Sequence, residues 1–241
     1  MLCLGPVLAT RVTPLPAGTP PTLLESLSMK IALFGATGHI GHAILDEALA
    51  RGYDVTAIVR DPSRLSTQNQ RLTVATGDVG KPESWLDAVR GADAVVASLS
   101  ARRDGNNDII PINAAVLLDN LPAAGVKRLA WVGGAGSLET APGVLVMDDP
   151  HFPEAWKPEA AGQGKALAVF RASPSIIDWT YISPAALIED GPRTGKYRVG
   201  GDQLLVDANG KSRISIPDYA AALLDRIEKG DASRKRITVA Y

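Results

Sequence analysis

The sequence predicts an α/β fold: a doubly wound parallel sheet with helices on both faces. Two observations carry this. Short, wholly apolar runs recur along the chain, as strands buried on both faces require. Amphipathic stretches of helical length separate them, which is the rhythm of parallel crossover units. Glycines at the joints between the two patterns are a third sign.

The elements follow in order. Residues 31–34 form the first strand. Ile40, Ile44, Ala48 and Leu49 then recur at helical spacing, and Gly52 stops that helix. Residues 55–59 and 72–75 are the second and third strands. Pro82 opens a helix that runs to Val89 and closes at Gly91. Residues 94–99 are the fourth strand. A long helix spans about 107–124, loosened in its last turn by Pro122. Residues 129–132 are the fifth strand, a helix from Pro153 or Pro158 reaches Arg171, and residues 179–182 are the sixth strand.

The rhythm then breaks. Residues 197–199, 204–206 and 213–216 are short strand-like runs set off by Gly200-Gly201 and Asn209-Gly210. Asp218 is placed to cap a helix over 219–228, and residues 237–239 form a last strand. These segments read as a small C-terminal lid region of a single domain spanning 29–241. Residues 1–28 hold Pro6, Pro14, Pro16, Pro20 and Pro21 without a sustained period. They read as a disordered tail or an upstream extension, with Met29 directly before the first strand. A secretory or transit role is the lesser reading, because Arg11 follows the apolar stretch instead of preceding it.

Composition narrows the function. The net charge is −1 over 241 residues, which offers no field for nucleic acid or an anionic membrane. No apolar run approaches the roughly 20 residues that span a bilayer. Cys3 is the only cysteine, so neither an intrachain disulfide nor a cysteine metal cluster is expected. A cytoplasmic protein acting on a small molecule fits these facts, and oligomeric state is not legible.

The chemistry concentrates in Gly35-Ala36-Thr37-Gly38-His39-Ile40-Gly41, between the first strand and first helix. Three glycines at this spacing, in this context, are the fingerprint of a Rossmann-like dinucleotide site. Gly35 permits the tight turn, Gly38 the approach of a pyrophosphate, and Gly41 the packing of helix on strand. Free N–H groups and the positive end of the helix dipole face the phosphates. About 20 residues on, the second strand ends at Arg60, with Arg64 one turn further. An acid there would favour NAD; a guanidinium pairs with the 2′-phosphate of NADP. Asp61 is next in sequence and should point elsewhere. The expected cofactor is therefore NADPH, with NADH possible.

These motifs, with Val59-Arg60-Asp61 and Gly77-Asp78-Val79, resemble the atypical short-chain dehydrogenase/reductase superfamily. Within it the chain is most similar to the NAD(P)H-binding group that includes NADH-flavin reductases and biliverdin/flavin reductases. The resemblance runs from Met29 to Tyr241 and takes in Gly133-Gly134-Ala135-Gly136-Ser137, Ser183-Pro184 and Thr194-Gly195-Lys196-Tyr197. It implies that Asp78 and Val79 lie against the adenine. It implies too that Ser98, Leu99 and Ser100 line the ribose and pyrophosphate path near Arg102, and that Ser183 and Pro184 border the nicotinamide.

The same resemblance exposes what is missing. Typical members carry Tyr-x-x-x-Lys on the helix after the fifth strand, the lysine lowering the phenol's pKa for proton transfer. Lys165 matches the lysine, but the tyrosine position is Ala161. Lys165 is thus either a cofactor contact or a solvated helix residue. Biliverdin/flavin reductase relatives place a histidine where this chain has Ala185. Ser137 is either a hydrogen-bond donor to a substrate carbonyl or a turn residue. Hydride transfer to a flavin or quinone needs no dedicated side-chain acid, because the reduced ring is stabilised by conjugation and takes its proton from solvent. The leading reading is an NADPH-dependent reductase of a flavin, quinone or similar conjugated acceptor. A non-catalytic NADP(H)-sensing regulator is the alternative, and a sugar-nucleotide epimerase or dehydratase ranks last.

Overall fold

The computed structural model describes residues 28–101 and 105–241. The expectations for residues 1–27 and for Arg102 lie outside the described residues. Ser28 is tied down: its hydroxyl donates to the Gly52 carbonyl at 2.8 Å.

Strands β1 (Lys30–Phe34), β2 (Asp54–Val59), β3 (Leu72–Thr76), β4 (Ala94–Ala97) and β5 (Arg128–Val132) come first. A small hairpin of β6 (Glu139–Ala141) and β7 (Val144–Leu145) follows. Then come β8 (Asp178–Pro184), β9 (Leu187–Glu189), β10 (Arg198–Gly200), β11 (Arg213–Ser215) and β12 (Lys235–Ala240). The main sheet runs β10-β12-β8-β5-β4-β1-β2-β3. Its strands are parallel except β10, which adds antiparallel to β12. The order reverses between β1 and β4, so a crevice opens outside their carboxyl ends, where ligands bind in such sheets.

Alternation along each strand divides the core in two. Ile31 and Leu33 of β1 join a cluster with helices α1 (His39–Ala50) and α4 (Ile216–Lys229), through Ile44, Leu45, Leu223 and Leu224. Ala32 and Phe34 point to the other face. There α2 (Ile109–Asn120) and α3 (Lys157–Ala172) supply Leu117 and Phe170 against Trp131 and Tyr181. Each aliphatic side chain so buried contributes about 1.5–3 kcal/mol.

Four local expectations are corrected by tertiary packing. The helix expected over 82–89 shrinks to a 3₁₀ turn, Pro82–Ser84. Trp85 explains this: it is driven against Phe34 with ring centroids 5.3 Å apart, and its Nε1 donates back to the Val79 carbonyl. The long helix over 107–124 ends as α2 at Asn120 and tightens to 3₁₀ over Leu121–Ala124, since Pro122 has no N–H to donate. Residues 204–206 form no strand; Leu204 donates only to the Glu139 carbonyl. The cap of α4 is Ser215, whose hydroxyl accepts from the Asp218 N–H, which leaves the Asp218 carboxylate for other work.

The C-terminal segments divide between two places. β12 lies inside the main sheet and α4 covers its face. The parallel β9–β11 pair forms a separate two-stranded ribbon, and the loop after β9 reaches α1. His39 Nε2 lies 2.8 Å from an Asp190 carboxylate oxygen, both largely exposed, and Arg193 pairs with Glu47. The buried Asp218 carboxylate fixes this loop, accepting from the Thr194 hydroxyl, the Gly195 N–H and the Tyr241 hydroxyl.

Candidate functional site

The glycine turn closes β1 onto α1, and its three glycines differ in what they need. Gly35 sits at φ +84°, and a Cβ there would lie 1.9 Å from the Ser98 carbonyl oxygen. A Cβ on Gly41 would lie 2.0 Å from the Gly35 carbonyl oxygen. Both are glycine because the fold leaves no room. Gly38 is different: its φ is −88°, and the nearest atom to a Cβ would be 3.4 Å away. Nothing among the described residues requires glycine at this position. A backbone opened where the fold does not demand it fits close approach of an external group. Gly38 also serves as the N-cap of α1 and makes no side-chain capping bond. The first-turn N–H groups of α1 therefore keep capacity for an anion. A dinucleotide pyrophosphate fits this cradle.

The remaining strand ends surround the turn. Arg60 follows β2 directly and is exposed, with Arg64 in the 3₁₀ turn Pro62–Arg64 beyond it. Asp61 Oδ1 accepts from the Ser63 hydroxyl and N–H, which hold the carboxyl below its usual pKa range. Asp78 accepts from the Gly80 N–H in a tight turn after β3, and Val79 is buried against Trp85. Ser98 donates its N–H to the Phe34 carbonyl, binding β4's end to β1's. The Leu99 carbonyl accepts from Gln163 of α3, and Ser100 is exposed at the rim.

Gln163 was not legible as a site residue, yet it ties β5, β8 and the segment after β4 together. Its Oε1 accepts from Trp131 Nε1 at 3.0 Å and its Nε2 donates to Leu99, while its carbonyl accepts from the Tyr181 hydroxyl at 2.9 Å. The Gly134 N–H donates to that same hydroxyl. Burial pushes the Tyr181 phenol well above its ordinary pKa. Tyr219, fully buried and bonded to the Ile182 carbonyl, is pushed up likewise. Neither phenol is placed to replace the missing tyrosine as an acid at neutral pH.

The other expected residues are dispersed. Among the described residues the Ser137 hydroxyl oxygen is buried and has no hydrogen-bond partner, while its carbonyl accepts from Arg236. The Ser183 side chain is wholly buried, and its hydroxyl accepts from Arg236 at 3.4 Å, so it is engaged within the fold. Pro184 ends β8 in a buried position. The Lys165 ammonium bonds Asp108 at the start of α2, 2.8 Å away, with both side chains mostly in solvent.

The parallel sheet, the order reversal and the glycine cradle define a dinucleotide-binding domain of Rossmann type. The chain belongs to the NAD(P)H-binding family, whose model matches residues 35–227. It is 40% identical over 214 residues to YwnB of Bacillus subtilis, covering 88% of this chain and 98% of that one. It is 30% identical to a 3-diazoavenalumate denitrifying reductase of a Streptomyces species, over 85% of this chain and 69% of the relative. Among solved structures, a candidate exported protein from Burkholderia pseudomallei superposes with a TM-score of 0.80 at 41% identity, covering 88% and 100% of the two chains. A candidate NADH-flavin reductase from Streptococcus pneumoniae does so with 0.79 at 33% identity, covering 88% and 99%. The resemblance to the atypical reductase group is thus borne out. Among the described residues, no helix is long and apolar enough to cross a membrane.

Proposed function

We propose that this protein is an NADPH-dependent oxidoreductase that reduces a flavin, quinone or similar conjugated small molecule. The observation that carries the reading is the cradle: a glycine the fold does not need, at an uncapped helix start, with two arginines at the end of β2 and the adjacent Asp61 carboxylate bonded to Ser63. Reductase names among its relatives support the same class.

When bound, the dinucleotide supplies the hydride; the protein's part is to hold and align it. The first-turn amides of α1 take the pyrophosphate, and Arg60 and Arg64 take the 2′-phosphate. Asp78 and Val79 border the adenine. Ser98, Leu99 and Ser100 line the path between, and Pro184 with the backbone of Ser183 flanks the nicotinamide. An unpartnered hydroxyl loses no bond when it rotates, so Ser137 can turn to donate to an acceptor oxygen. Lys165 stays with Asp108 and is given no part. Proton delivery falls to solvent, as a conjugated acceptor tolerates.

The test is steady-state oxidation of NADPH with riboflavin, FMN and soluble quinones. Turnover with at least one is expected; tight NADP(H) binding with none would favour a sensing regulator. A second check concerns selectivity. Losing one charge-assisted contact costs about 1.5–3 kcal/mol, so Arg60→Ala should weaken NADPH binding by about 10- to 100-fold. NADH affinity should stay within about twofold, since NADH lacks the group that the guanidinium pairs with. Equal losses for both cofactors would remove Arg60 from the selectivity.

A further inference from the structure

We propose that the groove between the end of α3 and the start of β12 is a second anion site, which takes the phosphate of a small phosphorylated molecule. It is separate from the dinucleotide cradle and does not depend on the oxidoreductase reading.

Topology sets the groove apart. Strands β8 and β12 run parallel to β1 through the shared sheet, so the cradle lies beyond their carboxyl ends. Trp179 and Lys235 lie at their amino ends. α3 carries the chain back between the parallel strands β5 and β8, so its last turn brings Arg171 to that same end. The groove holds about 430 Å³ and is lined by Arg171, Trp179, Asp202, Arg234, Lys235 and Arg236. That is room for a small organic molecule and more than a lone ion needs.

Charge suits the groove to an anion. Four of those six residues are cationic and one is acidic, in a chain whose net charge is −1. Asp202 engages two of the four: Arg171 and Arg236 converge on its Oδ1 at 2.5 Å and 2.6 Å. Arg234 donates to the carbonyls of Ser173, Ser175 and Ile177, which hold the guanidinium in place without neutralising it. Among the described residues, no carboxylate pairs with Arg234 or Lys235. The acids nearest in sequence, Asp178 and Asp231, lie against Arg128 and Arg226 instead.

The indole in the lining has a matching need. Trp179 is 3% exposed, and its Nε1 has no hydrogen-bond acceptor among the described residues. A buried donor left so is a standing cost to the fold. A phosphate monoester answers both needs, with a double charge and oxygens spaced for forked guanidinium donors. The side chains of Arg171 and Asp202 are each about half in solvent, so theirs is the bond a ligand oxygen would replace.

The test is an NMR titration of the full, isotope-labelled chain in a buffer free of phosphate and sulfate. The probes are glycerol phosphate, inorganic phosphate and glycerol. Glycerol phosphate should saturate one site and shift the indole N–H signal that disappears in Trp179→Phe. Inorganic phosphate should bind there about fivefold more weakly, since it leaves most of the groove unfilled, and glycerol should not bind. Saturating NADP⁺ should leave the titration unchanged. Arg171→Gln and Arg234→Gln should each weaken glycerol phosphate about tenfold, the scale of one charge-assisted bond. Asp202→Asn should tighten it about threefold by removing the competing carboxylate, a gain that misfolding cannot mimic. The proposal is overturned if glycerol phosphate fails to saturate, if NADP⁺ displaces it, or if inorganic phosphate binds as tightly. It is overturned equally if Asp202→Asn binds no better, or if both arginine variants bind as the unsubstituted protein does.

Discussion

Gly38→Ala should leave the protein folded and reduce its affinity for NADP(H) by at least about 100-fold. The φ of −88° suits any residue, and the added methyl meets nothing closer than 3.4 Å. Stability should therefore fall by no more than about 1 kcal/mol, the usual scale for an N-cap change. The methyl would occupy the space in which a pyrophosphate must approach the amides. Losing two charge-assisted bonds costs about 3 kcal/mol or more, which is the 100-fold expected. Gly35→Ala and Gly41→Ala should behave in the opposite way. Their methyls would lie 1.9 Å and 2.0 Å from carbonyl oxygens, so loss of the folded state itself is expected, above about 4 kcal/mol. Calorimetric binding alongside thermal unfolding separates the two behaviours. A Gly38→Ala protein that binds NADPH as the unsubstituted protein does would move the pyrophosphate elsewhere.

The second large effect is on stability. Asp218 is completely buried, and its carboxylate holds the 194–195 loop and the chain's last tyrosine through three hydrogen bonds of 2.5–2.8 Å. Removing one partner of a buried charged network leaves the others unsatisfied, so Asp218→Ala should cost about 3 kcal/mol. For a domain of this size that is a fall in Tm of roughly 6–12 °C. Burial alone would raise the Asp218 pKa, but the bonds from Thr194, Tyr241 and Gly195 outweigh it and hold the value low. A depressed folded-state pKa stabilises above the unfolded value, near 4, and the benefit is lost as pH falls through the folded value. The extra stability should thus be constant near neutrality and decline only below about pH 4. In Asp218→Asn the acid-dependent decline should be shallower, measured by urea unfolding between pH 3 and 7. An unchanged decline would assign acid sensitivity to other depressed carboxylates, such as Asp202 and Glu47.

Much of the fold was legible because its signals are local. A strand buried on both faces must be almost wholly apolar, so the runs at 31–34 and 129–132, and 55–59 with Thr56 its one polar residue, announced themselves. The glycine turn was legible for the same reason, since φ +84° and two forbidden Cβ positions leave glycine alone acceptable. What escaped depends on distant partners. The turn at Pro82 could not be told from a helix start without knowing that Trp85 is drawn onto Phe34. Asp218 carries every mark of a helix cap, yet Ser215 takes that role because the 194–195 loop arrives to claim the carboxylate. Gln163 looks like a surface glutamine in a helix rich in small residues; its partners Leu99, Trp131 and Tyr181 come from the segment after β4, from β5 and from β8. Lys165 matched a family position, and its pairing with Asp108 is set by how α3 lies along α2.

The most direct measurement is isothermal titration of the full chain with NADPH and with NADH. Saturable binding of NADPH is expected, at least about tenfold tighter than that of NADH, as one guanidinium–phosphate contact supplies. Absence of heat with both nucleotides would contradict the cradle, and a preference for NADH would contradict the role given to Arg60 and Arg64.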